Sequence, residues 1–596
     1  MIIQPLLFPK QEVCPEQKMY YRVKDNKISL ETYFNAFSIG KWRKYTGIED
    51  LYFEVKSKQK LQFTCVHAVG SVAAGHDHTK VMIQEDDPAK FATVRRRKIP
   101  FALTHEGDTY KLVFEELPEE GILYVNIKCE TTITDIADVI LNGGYGTQAS
   151  VTQKPVIALG ICTFKREEFL KKNVNLVLNH IINNPESPMH ENLEVYVSDN
   201  GQTIEPDTFG NDKVHVFPNI NAGGAGGFTR CIIEAVFYRK PSPFSHIILM
   251  DDDILLDTSV LERTWFLLSY LKPEYQHAIL GGEMFELDRK YMQFEAGALT
   301  SWQINEFYHR YYDMRRADMV SANEQETPIN YSGWWYNCIP TTEIQADNLP
   351  IPAFIHFDDI EYGVRHSDKG LILINGICVW HPQAPNKAAV SMSYYDTRNA
   401  LIAEASTMQQ QGTTLKLLGR LTLLIGINVV DYRYNLTEMY LQGYNDFHKG
   451  PDAFMKIDPV AKHAELGAYN YKFITPEEAG FKKPLKLKKN FFPAFVNGII
   501  CMFCWLIPPM RDIKAVPMIG IEQPHIYKRM YLYDSEKDAG YIVERDYKKG
   551  FHYFFEYLKL AKNILLYYNR DKKKWHKARR KFTSLEFWEK YLNLDK

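Results

Sequence analysis

At 596 residues the chain exceeds one ordinary core, and the usual size of a domain predicts about three. Its 45% hydrophobic and 24% charged content excludes a disordered chain, and no long low-complexity segment interrupts it. A net charge of −2 gives no global drive toward nucleic acid, so none is expected as a partner.

The first residues, MIIQPLLFPKQEV, lack a basic stretch followed by a long apolar run, so no cleaved leader is expected and the cytosol is the default. Nine cysteines without framework spacing point to a reducing compartment. Cys501-Met-Phe-Cys504 has C-x-x-C spacing, but no second pair or nearby His makes it a metal site. Residues 1–150 carry alternating runs such as LYFEVKS, TYKLVFEEL and GILYVNIKC between turn residues, which predicts an all-β sandwich or barrel domain.

From Val156 the texture changes to strand, helix, strand: VIALGICTF, EEFLKKNVNLVLNHII, LEVYVSDNG, VHVFPN, then HIILMDDD. Such alternation implies βαβ units and a mostly parallel sheet over 151–405, an α/β (Rossmann-like) core whose ligands bind beyond the strand ends. After residue 405 long amphipathic segments predict a mostly helical C-terminal domain, 406–596.

Asp251-Asp252-Asp253 follows the apolar strand HIILM. Residues i and i+2 of an extended chain share a face, so Asp251 and Asp253 can converge on one Mg²⁺ or Mn²⁺ while Asp252 points elsewhere, toward sugar or ribose. The bland alternative is a solvated acidic turn, but three carboxylates at a buried strand end repel one another unless a cation joins them. The first strand ends at Cys162-Thr-Phe-Lys-Arg166 and another at Ser198-Asp199-Asn-Gly201, where a nucleotide-binding domain meets base, ribose and pyrophosphate. Arg166 and Asp199 are therefore candidate donor-binding residues, although strand-end Asp also forms turns.

Asn219 to Arg230 holds four glycines, Gly223, Gly224, Gly226 and Gly227, before a helix. They permit close approach of backbone to a ligand, or form a tight helix-entry turn. Next come Trp334-Trp335, a sugar platform if exposed and core if buried, and Asp358-Asp359 at a helix start. One of those two carboxylates can serve as general base toward an acceptor hydroxyl, and Asp358 can equally cap the helix. His381, after the strand VW, can complete the shell of a metal held by the aspartates. Ser393 to Asn399 includes Arg398, which serves substrate or anchors a helix.

In order and spacing the motifs C-T-F-K-R, D-N-G, N-x-G-G-x-G-G-F, D-D-D, W-W, F-D-D-x-E and W-H resemble the galactofuranosyltransferases of glycosyltransferase family 2, the polymerising mycobacterial galactan type in particular. The likeness spans essentially the whole chain. It implies a GT-A catalytic core and inverting, metal-dependent transfer of a sugar from a UDP-sugar to a growing cell-surface glycan. It further implies Mn²⁺ or Mg²⁺ on Asp251, Asp253 and His381, with Asp359 as catalytic base. Arg166, Asp199 and Asp252 would bind the donor, with Trp334, Trp335 and Asp358 on the acceptor side. Gln293-Phe294-Glu295 lies where such enzymes keep further sugar-binding residues. Transfer of rhamnose or glucose by the same core is the alternative, and a catalytically silent glycan-binding protein is the rival outside enzymes.

The basic run KKPLKLKK (482–489), the apolar stretch Phe491–Ile507 and the basic run Lys572–Lys581 around Trp575 suggest peripheral attachment to the inner face of the cell membrane. That would suit a lipid-linked glycan acceptor. The apolar stretch is at the lower limit for a span, and a buried hairpin is its other reading. A homo-oligomer is left open.

Overall fold

The computed structural model describes residues 1–76, 78–79, 87–301, 304–382, 389–407, 412–483, 485, 508–509, 511–518, 527–534 and 537–594. The chain divides into two compact units. One comprises Met1–Pro352, Asp358–Asn386 and Phe582–Lys596, the other Ala353–Phe357 and Lys387–Lys581.

The first unit begins with two five-stranded antiparallel sheets. One runs in the order Ile2–Pro5, Asn142–Gly146, Tyr52–Lys56, Thr109–Phe114 and Phe101–Glu106. The other is centred on Ile122–Cys129 paired with Leu61–Val72. Alternation in these strands sends Phe53, Val55 and Leu112 from one sheet and Cys65, Val125 and Ile127 from the other into a shared core.

The largest sheet among the described residues has seven strands. Their order is Val214–Pro218, Leu193–Asp199, Ile157–Thr163, His246–Asp251, Asn337–Pro340, Ile279–Gly281 and Leu371–Ile372. The first four are parallel, so their carboxyl ends share one edge. Register pins them together there: Cys162 pairs with Asp251, and Thr163 with Asp199. The strands read as continuous apolar runs because helices cover both faces of such a sheet. Gly227 on the covering helix Gly223–Ile232 shows how tightly, since a Cβ there would lie 2.1 Å from Cys162 Sγ.

A buried polar network ties the N-terminal sheets to this core. Tyr33 donates to Glu283 Oε2 at 2.6 Å, and Asn323 donates to Glu283 Oε1 at 2.9 Å and to Asn375 Oδ1 at 2.6 Å. Ser38 donates to Glu324, and Lys10 pairs with Asp257 at 2.9 Å.

The second unit is built on the helices Met392–Thr407, Thr414–Val430, Tyr434–Lys449 and the 36-residue Tyr547–Phe582. The region is mostly helical, as its amphipathic segments predict, and it also contains a three-stranded sheet, Arg511–Pro517, Tyr527–Asp534 and Ala539–Glu544. Trp575 is 1% exposed, stacked on Phe447 and donating to the Phe447 carbonyl, so the indole of the basic run faces inward. Among the described residues no helix is long and apolar enough to cross a membrane. Phe491–Ile507 and Cys501-Met-Phe-Cys504 lie outside the described residues. The seven described cysteines are free thiols.

Candidate active site

Strand His246–Asp251 delivers Asp251 to the sheet edge, half-exposed, and the turn after it buries Asp252 and Asp253. The turn parts the carboxylates. Asp252 turns to Thr163, which donates to it at 2.7 Å, and to Arg166 Nη1 at 3.0 Å. Asp251 and Asp253 turn to His381, whose Nε2 lies 3.4 Å from Asp251 Oδ2 and 3.2 Å from Asp253 Oδ1. Asn173 fixes the turn by donating to the carbonyls of Asp252 and Ile254.

His381 arrives from far along the chain through two pairings. Its strand Cys378–His381 runs parallel to Glu283–Glu286, and Trp380 forms a two-way backbone bridge with Leu255, four residues past Asp251. His381 Nδ1 lies 2.7 Å from the Pro382 carbonyl. A carbonyl can only accept, so Nδ1 carries a proton and Nε2 is the ring atom that faces the aspartates, donating to them when protonated and free to bind a metal when not. This is the arrangement that orients a metal-ligating imidazole. One ligand atom from each of Asp251, Asp253 and His381 lies within 4.8 Å of the other two, and two carboxylates with one imidazole suit Mn²⁺ or Mg²⁺. Burial pulls the imidazole's pKa down, but the bonds to Asp251 and Asp253 outweigh it and raise the pKa to about 9. A divalent cation at this position would replace that proton.

Arg166 also reaches Asp253 at 2.7 Å while staying half-exposed, so its charge fronts the cluster. Asp199 is fully buried at the neighbouring strand end. Its carboxylate accepts the backbone N–H groups of Gly201, Thr203 and Ile204, at 2.6 to 2.9 Å, so it shapes the loop after its strand. The structure does not bring its carboxylate to the aspartate cluster.

Helix Asp358–Arg365 opens with Asp358, buried, and Asp359, half-buried, whose Oδ1 accepts the Ile360 N–H at 2.7 Å. Glu361 is fully committed to a two-oxygen pair with Arg365, which also holds the carbonyls of Asn348 and Leu349. Gly224 faces the Asp358 carboxylate, and a Cβ there would stand 3.0 Å from Oδ2. The glycine-rich segment thus serves close packing at Gly227 and lets Asp358 approach at Gly224.

The tryptophans are not the open stacking platform that an exposed pair would make. Trp334 is 5% exposed, edge-on to Phe228 and Tyr362, and Trp335 is half-buried with its N–H on the Gly282 carbonyl. Gly282 and Gly333 leave space that the side chains of Tyr336 and Trp335 fill, so these rings of the segment 331–336 turn inward. Arg398 anchors its helix: it is buried, bonded to Asn399 and Tyr394, and stacked against Tyr394, Tyr395 and Phe454.

Glu295 belongs to the site's surroundings. Burial raises its pKa to about 7, Arg310 opposes the shift, Asp359 adds to it and His381 opposes it. Of the Gln293-Phe294-Glu295 triplet, Gln293 is instead a buried link to His309 and Asn323. Arg310, fully buried over the Phe294 ring, was not legible as a site residue, because a lone Arg among tyrosines carries no spacing signal.

Comparison with known proteins follows the same residues. A family model described as "Glycosyltransferase like family 2" matches residues 155–381, from the first parallel strand to His381. The chain is 23% identical over 506 residues to "Galactofuranosyltransferase GlfT2" of Mycobacterium tuberculosis, covering 80% of this chain and 74% of that one. It is 22% identical over 462 residues to the protein of the same name from Mycolicibacterium smegmatis, covering 73% and 66%. Among solved structures, a mannosyltransferase from Pyrobaculum calidifontis in complex with GDP-Man and Mn²⁺ aligns at a TM-score of 0.29 and 8% identity, over 54% of this chain and 86% of that one. That last likeness is too slight to bear on function.

Proposed function

We propose that this glycosyltransferase moves galactofuranose from UDP-galactofuranose onto a growing cell-surface glycan, with inversion at the anomeric carbon. The observation that carries the metal-dependent reading is the convergence of Asp251, Asp253 and His381, with the imidazole's donor side occupied by the Pro382 carbonyl. The choice of sugar is supported by the two galactofuranosyltransferase relatives and by the shared motif order.

Asp251, Asp253 and His381 would hold Mn²⁺ or Mg²⁺, which when bound offsets negative charge building on the departing diphosphate. Arg166 adds a fixed positive charge on the same side, and Asp252, held by Thr163, faces the donor. Asp199 supports the donor's base and ribose by holding the loop 199–204 in shape. On the acceptor side Asp359 takes the hydroxyl proton as that oxygen bonds to the anomeric carbon and the bond to the diphosphate breaks. UDP leaves, and no sugar–enzyme bond forms. Asp358, next to Gly224, flanks the base, while Trp334 and Trp335 form the packed wall behind the acceptor. A lipid-linked acceptor would bring the enzyme to the inner face of the cell membrane.

A donor panel of UDP-galactofuranose, UDP-galactopyranose, UDP-glucose and dTDP-rhamnose, incubated with Mn²⁺ and a glycan acceptor, tests the assignment. Release of UDP with chain extension from UDP-galactofuranose alone is the expected result. Preference for another donor would move the enzyme to a different sugar, and silence with all four would sink the reading.

A further inference from the structure

Helix Tyr547–Phe582 has two contrasting sides. Tyr553, Leu560, Ile564, Tyr568 and Trp575 recur at helical spacing and are buried. Tyr568 donates to Glu404, and Asp571 pairs with His448 at 2.6 Å, so the helix is firmly seated on its own unit.

The opposite side should then be polar. Instead Phe554, Phe555, Leu558, Leu565 and Leu566 stand out of it, between 38% and 60% exposed. Helix Thr414–Val430 continues the surface, because its Thr422 hydroxyl meets the Tyr557 hydroxyl at 2.7 Å and the adjoining Leu423 is 57% exposed. Large apolar side chains gathered on one face mark an interaction site, since each would otherwise be covered. Charge decides what covers it. The same helix carries twelve Lys or Arg residues against two acids, Glu556 and Asp571, and the aspartate is buried. Exposed Lys559 and Lys562 lie among the apolar residues, and exposed Lys573, Lys574 and Lys577 extend the line.

We propose that this face lies on an anionic lipid surface, with the Phe and Leu side chains in the headgroup–acyl boundary and the lysines on the headgroups. The apolar face and basic flanks match an interfacial helix, and the terminal part of the face holds charge at the level of the headgroups. A second copy is a poorer occupant, because two such helices would bring like charges together. The proposal rests on the membrane-borne acceptor for its purpose, though its physics is independent of the sugar transferred.

The test is flotation of the full chain with vesicles of phosphatidylcholine alone and of phosphatidylcholine containing phosphatidylglycerol. The wild type should float with the anionic vesicles only, and less as salt rises. F555E/L566E, at exposed positions, should keep its circular dichroism and its nucleotide release on a soluble acceptor while losing at least about tenfold in vesicle affinity. K559E/K562E, which leaves the apolar face intact, should weaken binding similarly if the first pair disturbs folding. Undiminished flotation of both variants, or none by the wild type, would overturn the proposal. So would a dimer broken by F555E/L566E with vesicle binding unchanged, which would assign the face to a second copy. Failure of every donor with vesicle binding intact would instead remove the proposed function and leave this surface standing.

Discussion

Two buried acidic clusters in the first unit look alike in composition and differ in their partners. Around Glu283 both carboxylate oxygens meet neutral donors, the Tyr33 hydroxyl and the Asn323 amide, and the surrounding amides are bonded to one another. Burial raises the pKa of Glu283 to about 7, and the donors and Lys41 oppose the shift only in part. At Asp251 and Asp253 the neighbours are an imidazole and a guanidinium, and the ligand atoms point at a common space. A carboxylate satisfied by neutral donors can sit protonated in a core. Carboxylates gathered against cations are arranged for an exchangeable cation. Burial and acidity alone therefore do not identify a metal site, whereas the charge of the partners does.

The contrast breaks if the two clusters respond alike to mutation. Asp253→Asn should cut metal-dependent turnover by on the order of 10³-fold, because the cation supplies several kcal/mol of charge stabilisation. A chelator should abolish the wild-type rate and added Mn²⁺ restore it, while Glu283→Gln should turn over at a rate near wild type. Apparent metal affinity should rise with pH toward about 9, since the ion must replace the proton on His381. Equal losses in the two variants would dissolve the distinction. Asp359→Asn should cost ~10²–10⁴-fold in kcat, the usual range for a general base, with Mn²⁺ affinity unchanged. A fall in metal affinity would place Asp359 with the ligands instead.

Much of this site was legible as spacing. The apolar strand before Asp251-Asp252-Asp253 and the i, i+2 reading group Asp251 with Asp253 as the structure does, although only Asp251 belongs to the strand and the turn after it sets the other two. What spacing could not carry was cover. Trp334 reads the same whether a ring faces solvent or Phe228, and Trp575 reads the same whether it faces lipid or Phe447. Asp199 looked like a ligand group, yet three backbone N–H groups of the next five residues claim its carboxylate. That turn chemistry is local and was visible in Ser198-Asp-Asn-Gly201, but a strand-end Asp serves either use. The bridge from Leu255 to Trp380 that carries His381 to the aspartates had no local signature at all. Nor did the C-terminal sheet, whose strands Tyr527–Asp534 and Ala539–Glu544 run up to a 36-residue helix that dominates the pattern.

The neutral cluster can be probed through stability. The folded pKa of Glu283 lies above its ordinary 4.5, so its stabilising contribution is complete below about pH 4.5 and is lost as pH rises through about 7. The fall amounts to roughly 3 kcal/mol at most, from a shift of about 2.5 pH units. Chemical denaturation of wild type across this range should show the decline on top of other titrations, and Glu283→Gln, which cannot ionise, should flatten it. An identical pH profile for the two proteins would mean that Glu283 is charged in the folded state, and the contrast with the aspartates would lose its basis.

The smallest effect is expected in the second unit, where Asn399 provides a third kind of polar contact. Its side-chain amide donates to the carbonyls of Ala353, Ile355 and His356 at 2.8, 2.8 and 3.1 Å. The backbone there turns through left-handed conformations at Phe354, His356 and Phe357, with φ of 67°, 63° and 69°, which non-glycine residues enter only when held. The next residue along the chain is Asp358. Asn399→Ala removes the donor and should cost ~1–3 kcal/mol, the penalty for leaving buried carbonyls unsatisfied. Asn399→Asp keeps the size but points a carboxylate at three carbonyl oxygens, so it should cost more than Ala at neutral pH. Acidification should recover part of that loss, because a protonated carboxyl can donate again to one of the three. Denaturation midpoints of the two variants at neutral and acidic pH decide the matter. If Asp is tolerated better than Ala at neutral pH, the amide is filling space, and the left-handed turn before Asp358 is held by other groups.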